Sequence, residues 1–156
     1  MNEPIRLLQA EIRQDLETIA AAYQQLHVFD ERPLDNNTLI LVAYHLHVIY
    51  GLFENILVRI AANFGNHIED TSQWHTLLLK RMMLDIAEVR PPVISHEAYH
   101  CLDELRRFRH LFRNAYVLHF DPDRLSLVWR DAQKLEQIYL AEFDRFLHFL
   151  DSLLTK

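Results

Sequence analysis

Residues 104–113 read ELRRFRHLFR, placing Arg106, Arg107, Arg109 and Arg113 within ten positions, with His110 among them. That is a quarter of the 16 Lys and Arg residues of a chain whose net charge is −6. Guanidinium groups bind phosphate through paired N–H donors, and a neutral imidazole can exchange a proton near pH 7. Together they suit cleavage of RNA without a metal. The ribose 2′-hydroxyl attacks the adjacent phosphorus, a histidine takes or gives the proton, and arginine stabilises the charge that builds on the phosphoryl oxygens. On a helix, Arg106, His110 and Arg113 fall within about 60° of one another, with Arg109 at the margin. Leu105, Phe108, Phe112 and Ala115 lie on the opposite side and are expected to face a core. The plainer alternative is an ordinary charged face, either solvated or salt-bridged to the carboxylates of neighbouring helices.

Just upstream, residues 96–100 read HEAYH, which matches the H-E-x-x-H pattern of zinc hydrolases. The context argues against that chemistry. The string follows a diproline and Ser95, so it reads as the capped first turn of a helix, where Glu97 suits the helix dipole. A third ligand from another element is not evident, and His45/His47 and His67/His75 lack ligand-like spacing on one face. No metal site is assigned.

The elements that must carry the arginines are helices. Half of the 156 residues are hydrophobic, and there are only two glycines, Gly51 and Gly65. A sheet protein would call on more turn glycines. Length suggests one domain over residues 1–156. Cys101 is the sole cysteine, so no disulfide framework can form within the chain, which leads us to expect a reducing, cytoplasmic compartment. The N-terminal segment carries charges throughout, without a signal-peptide apolar core. The uncharged run Thr38–Phe53 contains two histidines and reads as a buried central helix rather than a membrane span.

Proline, glycine and capping residues divide the chain into five helices. The first runs from Pro4 to about Phe29, with Ile5, Leu8, Ile12, Leu16, Ile19, Tyr23 and Leu26 at helical spacing. The second runs from about Thr38 to Asn63, with Asp35, Asn36 and Asn37 as possible caps. Thr71 or Ser72 would cap a third helix extending through Val89, before Pro91 and Pro92 stop it. Ser95 opens the fourth, which is expected to reach about His119. The last spans about Arg124 to Leu154, with Leu127, Leu135, Ile138, Phe143, Phe146 and Leu150 on its apolar side. The expected architecture is an all-α, five-helix up-and-down bundle.

The block FRHLFRNAYVLHF (108–120) resembles the HEPN superfamily, and HepT-like toxins in particular. That superfamily is marked by an arginine, a polar residue and then a histidine, which Arg113, Asn114 and His119 match. The resemblance extends over YGLFENILVRIA (50–61), which is similar to the family's second helix with its glutamate at Glu54, and over WHTLLLKRM (74–82) and RPPVIS (90–95). It implies a HEPN-like bundle that dimerises, with the arginine–histidine motifs of both subunits meeting at the interface. It also implies a ribonuclease toxin that acts on RNA without metal or cofactor, neutralised by an antitoxin of nucleotidyltransferase fold (the MNT type). In some such pairs the antitoxin transfers AMP to a tyrosine two residues after the motif histidine. Asp121 holds that position here, and Tyr116 is the nearest candidate acceptor.

Under this resemblance Arg113, assisted by Arg109, would hold the scissile phosphate, and Asn114 would position the substrate. The proton would pass through His119 or through His110. On a regular helix His119 projects about 120° from Arg113, whereas His110 is in register with it. Glu54 would either orient an arginine of the fourth helix or contribute to the groove directly. Gly51 would permit close approach of another backbone, and Trp74 and His75 would close the third helix onto the core. The alternative function is a non-catalytic subunit of the same fold, whose arginines bind nucleotide or dock a nucleotidyltransferase partner.

Overall fold

A computed structural model describes residues 2–64, 73–113 and 121–155. The described residues form an all-α bundle of five helices: α1 (Glu3–His27), α2 (Asn36–Asn63), α3 (Trp74–Met82), α4 (His96–Arg113) and α5 (Pro122–Leu154). The central helix is α2, which packs against each of the other four. Its length and composition would also allow it to cross a membrane, but half of its most apolar window is buried inside the bundle. Val42, Leu46, Ile49, Phe53, Ile56 and Ile60 are fully buried there. Each such side chain contributes about 1.5–3 kcal/mol by leaving water, so α2 anchors the fold.

Local chemistry explains the helix starts. Asp35 caps α2 by accepting from the Thr38 amide at 2.8 Å. Pro122 opens α5, and the Asp121 side chain accepts from the Asp123 amide at 3.0 Å. Ser95 opens α4, its Oγ accepting from the Ala98 amide at 3.1 Å. The cap is reinforced from α5: the buried Glu142 carboxylate accepts from the Ser95 amide and hydroxyl, each at 2.7 Å. HEAYH is therefore the first turn of α4, with His96, Glu97 and His100 exposed. Among the described residues, no cluster of three or more His, Cys, Asp or Glu side chains could hold a metal ion.

Side-chain bonds fix α1 against α5. The buried Tyr23 hydroxyl donates to the Ala132 carbonyl at 2.8 Å, and Gln9 donates to Asp151 at 2.7 Å. His27 bridges the far end: its Nδ1 lies 2.8 Å from Asp30 and its Nε2 2.8 Å from Glu136. Those two carboxylates, Glu136 first, raise the imidazole above its ordinary value.

Three expectations need correction. First, α3 stops at Met82 rather than Val89. The Met82 carbonyl accepts from the Val93 and Ile94 amides, and the intervening chain folds into a tight turn closed by an Ile86–Arg90 bridge. Arg90 stabilises that ending: its fully buried guanidinium donates to the carbonyls of Arg81 (2.9 Å), Leu84 and Pro91 (both 3.2 Å). The Arg81 carbonyl belongs to the last turn of α3, where a helix leaves its carbonyls without intrahelical partners, and the other two belong to the connector that follows. Glu88, in the same turn, has a φ of 65°, a left-handed conformation that favours glycine. Second, Leu127 points outward, 58 % exposed, although Leu135, Phe143, Phe146 and Leu150 are buried as expected. Third, a Cβ added at Gly51 would meet no atom of the described residues within 4 Å, so among these no backbone approaches it closely.

The Thr71 and Ser72 caps, and the stretch of the fourth helix expected beyond Arg113, lie outside the described residues.

Candidate active site

Where α2, α3 and α4 meet, a cleft of about 300 Å³ opens, lined by Tyr50, His75, Thr76, Arg106, Arg109, His110 and Arg113. The amphipathic pattern of α4 builds its basic wall. Leu105 and Phe108 are buried and Phe112 half-buried, which turns Arg106, Arg109, His110 and Arg113 together toward the cleft. Phe112 also packs on the His47 ring, with centroids 5.1 Å apart. Burial, together with the nearby Arg109 and Arg113 charges, lowers the His47 imidazole below its ordinary value. His47 thus supports the wall from behind in neutral form.

Two buried carboxylates keep the arginines in place. Asp103, on α4 itself, lies 2.9 Å from Arg106 and 3.0 Å from Arg107. Glu54, reaching from α2, is 7 % exposed and meets three partners. Its Oε1 pairs with Arg109 at 3.2 Å. Its Oε2 accepts from the Tyr50 hydroxyl at 2.9 Å and faces His75 Nδ1 at 2.6 Å. The Arg109 guanidinium also lies over the Tyr50 ring, 5.6 Å from its centroid, a favourable cation–π placement. The two readings of Glu54 therefore merge: it orients an arginine of α4 and also holds a second side chain of the cleft.

Arg113 differs from its neighbours. It is exposed at the end of α4, and among the described residues no carboxylate pairs with it. A guanidinium so placed can offer both of its N–H edges to a phosphate.

Of the residues singled out in the sequence, the structure brings Arg109, His110 and Arg113 to one cleft, with Glu54 buried behind it and bonded to Arg109. Asn114, Tyr116 and His119 lie outside the described residues. His75 is the residue that sequence reasoning placed elsewhere. It was expected to pack on the core beside Trp74; Trp74 does so, half-buried, while His75 turns to Glu54 and lines the cleft. No sequence signal marked it, because its partner is 21 positions away on another helix.

Comparison with family models gives a match to a family of HepT-like proteins over residues 41–150, more than two thirds of the chain. The chain belongs to the HepT-like family. The matched region takes in α3, α4, most of α2 and nearly all of α5, and so holds every residue of the cleft. Comparisons with curated proteins and with solved structures give no match. Membership in the HepT-like family places the chain in the HEPN superfamily, whose members include ribonuclease toxins.

Proposed function

We propose that this HepT-like protein is a metal-independent endoribonuclease toxin, active as a homodimer and neutralised by a nucleotidyltransferase-fold antitoxin. One observation carries the reading: an acidic protein gathers Arg106, Arg109 and Arg113 with two histidines around a single cleft. An RNA backbone fits there by charge, and the side chains present supply phosphate binding and proton transfer. Arg113 holds the scissile phosphate with help from Arg109. Two substrate-facing ends of α4, one from each subunit, would give a groove long enough to grip more than one nucleotide.

The pairing of Arg106, Arg107 and Arg109 with Asp103 and Glu54 favours a second reading. In it the basic wall is largely neutralised within the chain, and the protein is a non-catalytic subunit that docks a partner through Arg113. Induction of the chain alone in a bacterial host separates the two. A toxin arrests growth, and Arg113→Ala relieves the arrest at equal protein level. Unimpaired growth with the wild-type chain favours the docking subunit.

A further inference from the structure

We propose that His75, oriented by Glu54, is the general base of the cleft and takes the proton from the attacking ribose 2′-hydroxyl. The inference rests on the ribonuclease reading above and deepens it by assigning the proton acceptor to α3, outside the arginine–histidine motif.

The geometry is that of a carboxylate–imidazole dyad. A carboxylate can only accept, so the 2.6 Å contact puts the proton of a neutral His75 on Nδ1, donating to Glu54 Oε2. The lone pair is then on Nε2, the atom a base uses. Glu54 is itself held by the Tyr50 hydroxyl and Arg109, so two partners besides His75 fix its direction. The Trp74 ring lies against His75, with centroids 3.8 Å apart, and restrains the imidazole further. His75 keeps a side-chain exposure of 31 %, unlike the 9 % of Glu54, and lines the same cleft as Arg109 and Arg113. A phosphate held by those arginines therefore places the adjoining ribose within the space that His75 borders.

The step balances as follows. The 2′-hydroxyl proton moves to His75 Nε2 as the 2′-oxygen bonds to phosphorus. The bond from phosphorus to the 5′-oxygen breaks, and that oxygen takes a proton from water, whose hydroxide the proton later released by His75 neutralises, or from a protonated His110, which lines the cleft as well and is reprotonated from solvent. The products are a 2′,3′-cyclic phosphate and a 5′-hydroxyl. His75 then returns its proton to solvent. Glu54 is a positioning residue: it steers the ring and supports the imidazolium that forms.

The test is the pH dependence of RNA cleavage by the full-length protein and its variants, with melting curves to establish folding. His75→Gln should lower kcat by about 10²-fold or more with little change in KM. It should also abolish the acid limb of the profile, where a base is lost by protonation. Glu54→Gln should lower kcat less and leave the acid limb in place, since the imidazole is still present. His100→Gln, on the exposed first turn of α4, should behave as wild type. If the wild-type protein cleaves RNA and folded His75→Gln retains its kcat or its acid limb, His75 is not the base, while the ribonuclease reading stands. If wild type cleaves no RNA, the ribonuclease reading itself fails and takes the inference with it. Should His75→Gln not fold, the native protein still decides the matter. The NMR titration of the His75 ring must coincide with the acid limb of kcat/KM, and a mismatch overturns the assignment.

Discussion

In the proposed reaction Arg113 and His75 would divide the chemistry of the cleft, and they differ in how far the sequence exposes them. Arg113 was legible because Arg106, Arg109 and His110 share its helix, so that 100° per residue sorts the four onto one face. His75 was not, because its role depends on a carboxylate supplied by a different helix. Spacing along a chain says nothing about such a pair. Glu54 was half legible: a lone carboxylate on an apolar helix needs a partner, and Tyr50 is one turn away, but only the packing of α3 and α4 against α2 adds His75 and Arg109. At this scale the expectation concerns charge geometry. Arg113→Lys should retain less than a tenth of wild-type cleavage, because an ammonium cannot reproduce two parallel N–H contacts to phosphate. Cleavage assays at equal protein concentration check this; full activity in Arg113→Lys would mean that only net charge matters there.

The helices show where pattern reading succeeds and where it stops. Apolar periodicity located all five, and the buried faces of α1, α2 and α4 follow it closely. The end of α3 was misplaced because DIAEV reads as a helix continuation in any propensity argument. What ends it is tertiary: the Met82 carbonyl is taken by Val93 and Ile94, and the Arg90 guanidinium takes those nearby. Arg90→Ala should therefore cost about 2–4 kcal/mol, since it removes a donor from three part-buried carbonyls and leaves a void where a buried side chain stood. Urea unfolding measures this, and a loss below half a kcal/mol would show that water substitutes freely. At Gly51 the opposite holds. A helix-interior glycine with open space beside it gains by substitution, so Gly51→Ala should stabilise the protein by about 0.5–1 kcal/mol in the same assay.

For the molecule as a whole, the cleft is only as well formed as the bundle that presents it, and one clasp of that bundle depends on pH. The raised imidazole of His27 means that the folded state holds its proton to higher pH than the unfolded chain does. Its stabilising effect is complete below the ordinary histidine value and is lost as pH rises through the folded one. Glu136→Gln should thus cost more below the ordinary histidine value than at alkaline pH above the raised one, where the ring is neutral in both states. The side chain of His27 is 36 % exposed, so solvent screening keeps the difference below about 1 kcal/mol. His47 works the other way: its lowered value makes acid destabilising, which is why the variant must be compared with wild type at each pH.

The proposed cleavage, by attack of the 2′-hydroxyl on the phosphate held in the basic cleft, is recorded in the termini of its products. Purified protein should be incubated with a single-stranded RNA in the presence of a chelator, and the ends of the fragments identified by mass spectrometry. The fragments should carry 2′,3′-cyclic phosphate and 5′-hydroxyl ends, formed at the same rate with and without chelator, with a loss of about 10²–10³-fold in Arg113→Ala. Intact RNA, cleavage that the chelator abolishes, or fragments bearing 5′-phosphates would contradict the proposed cleavage.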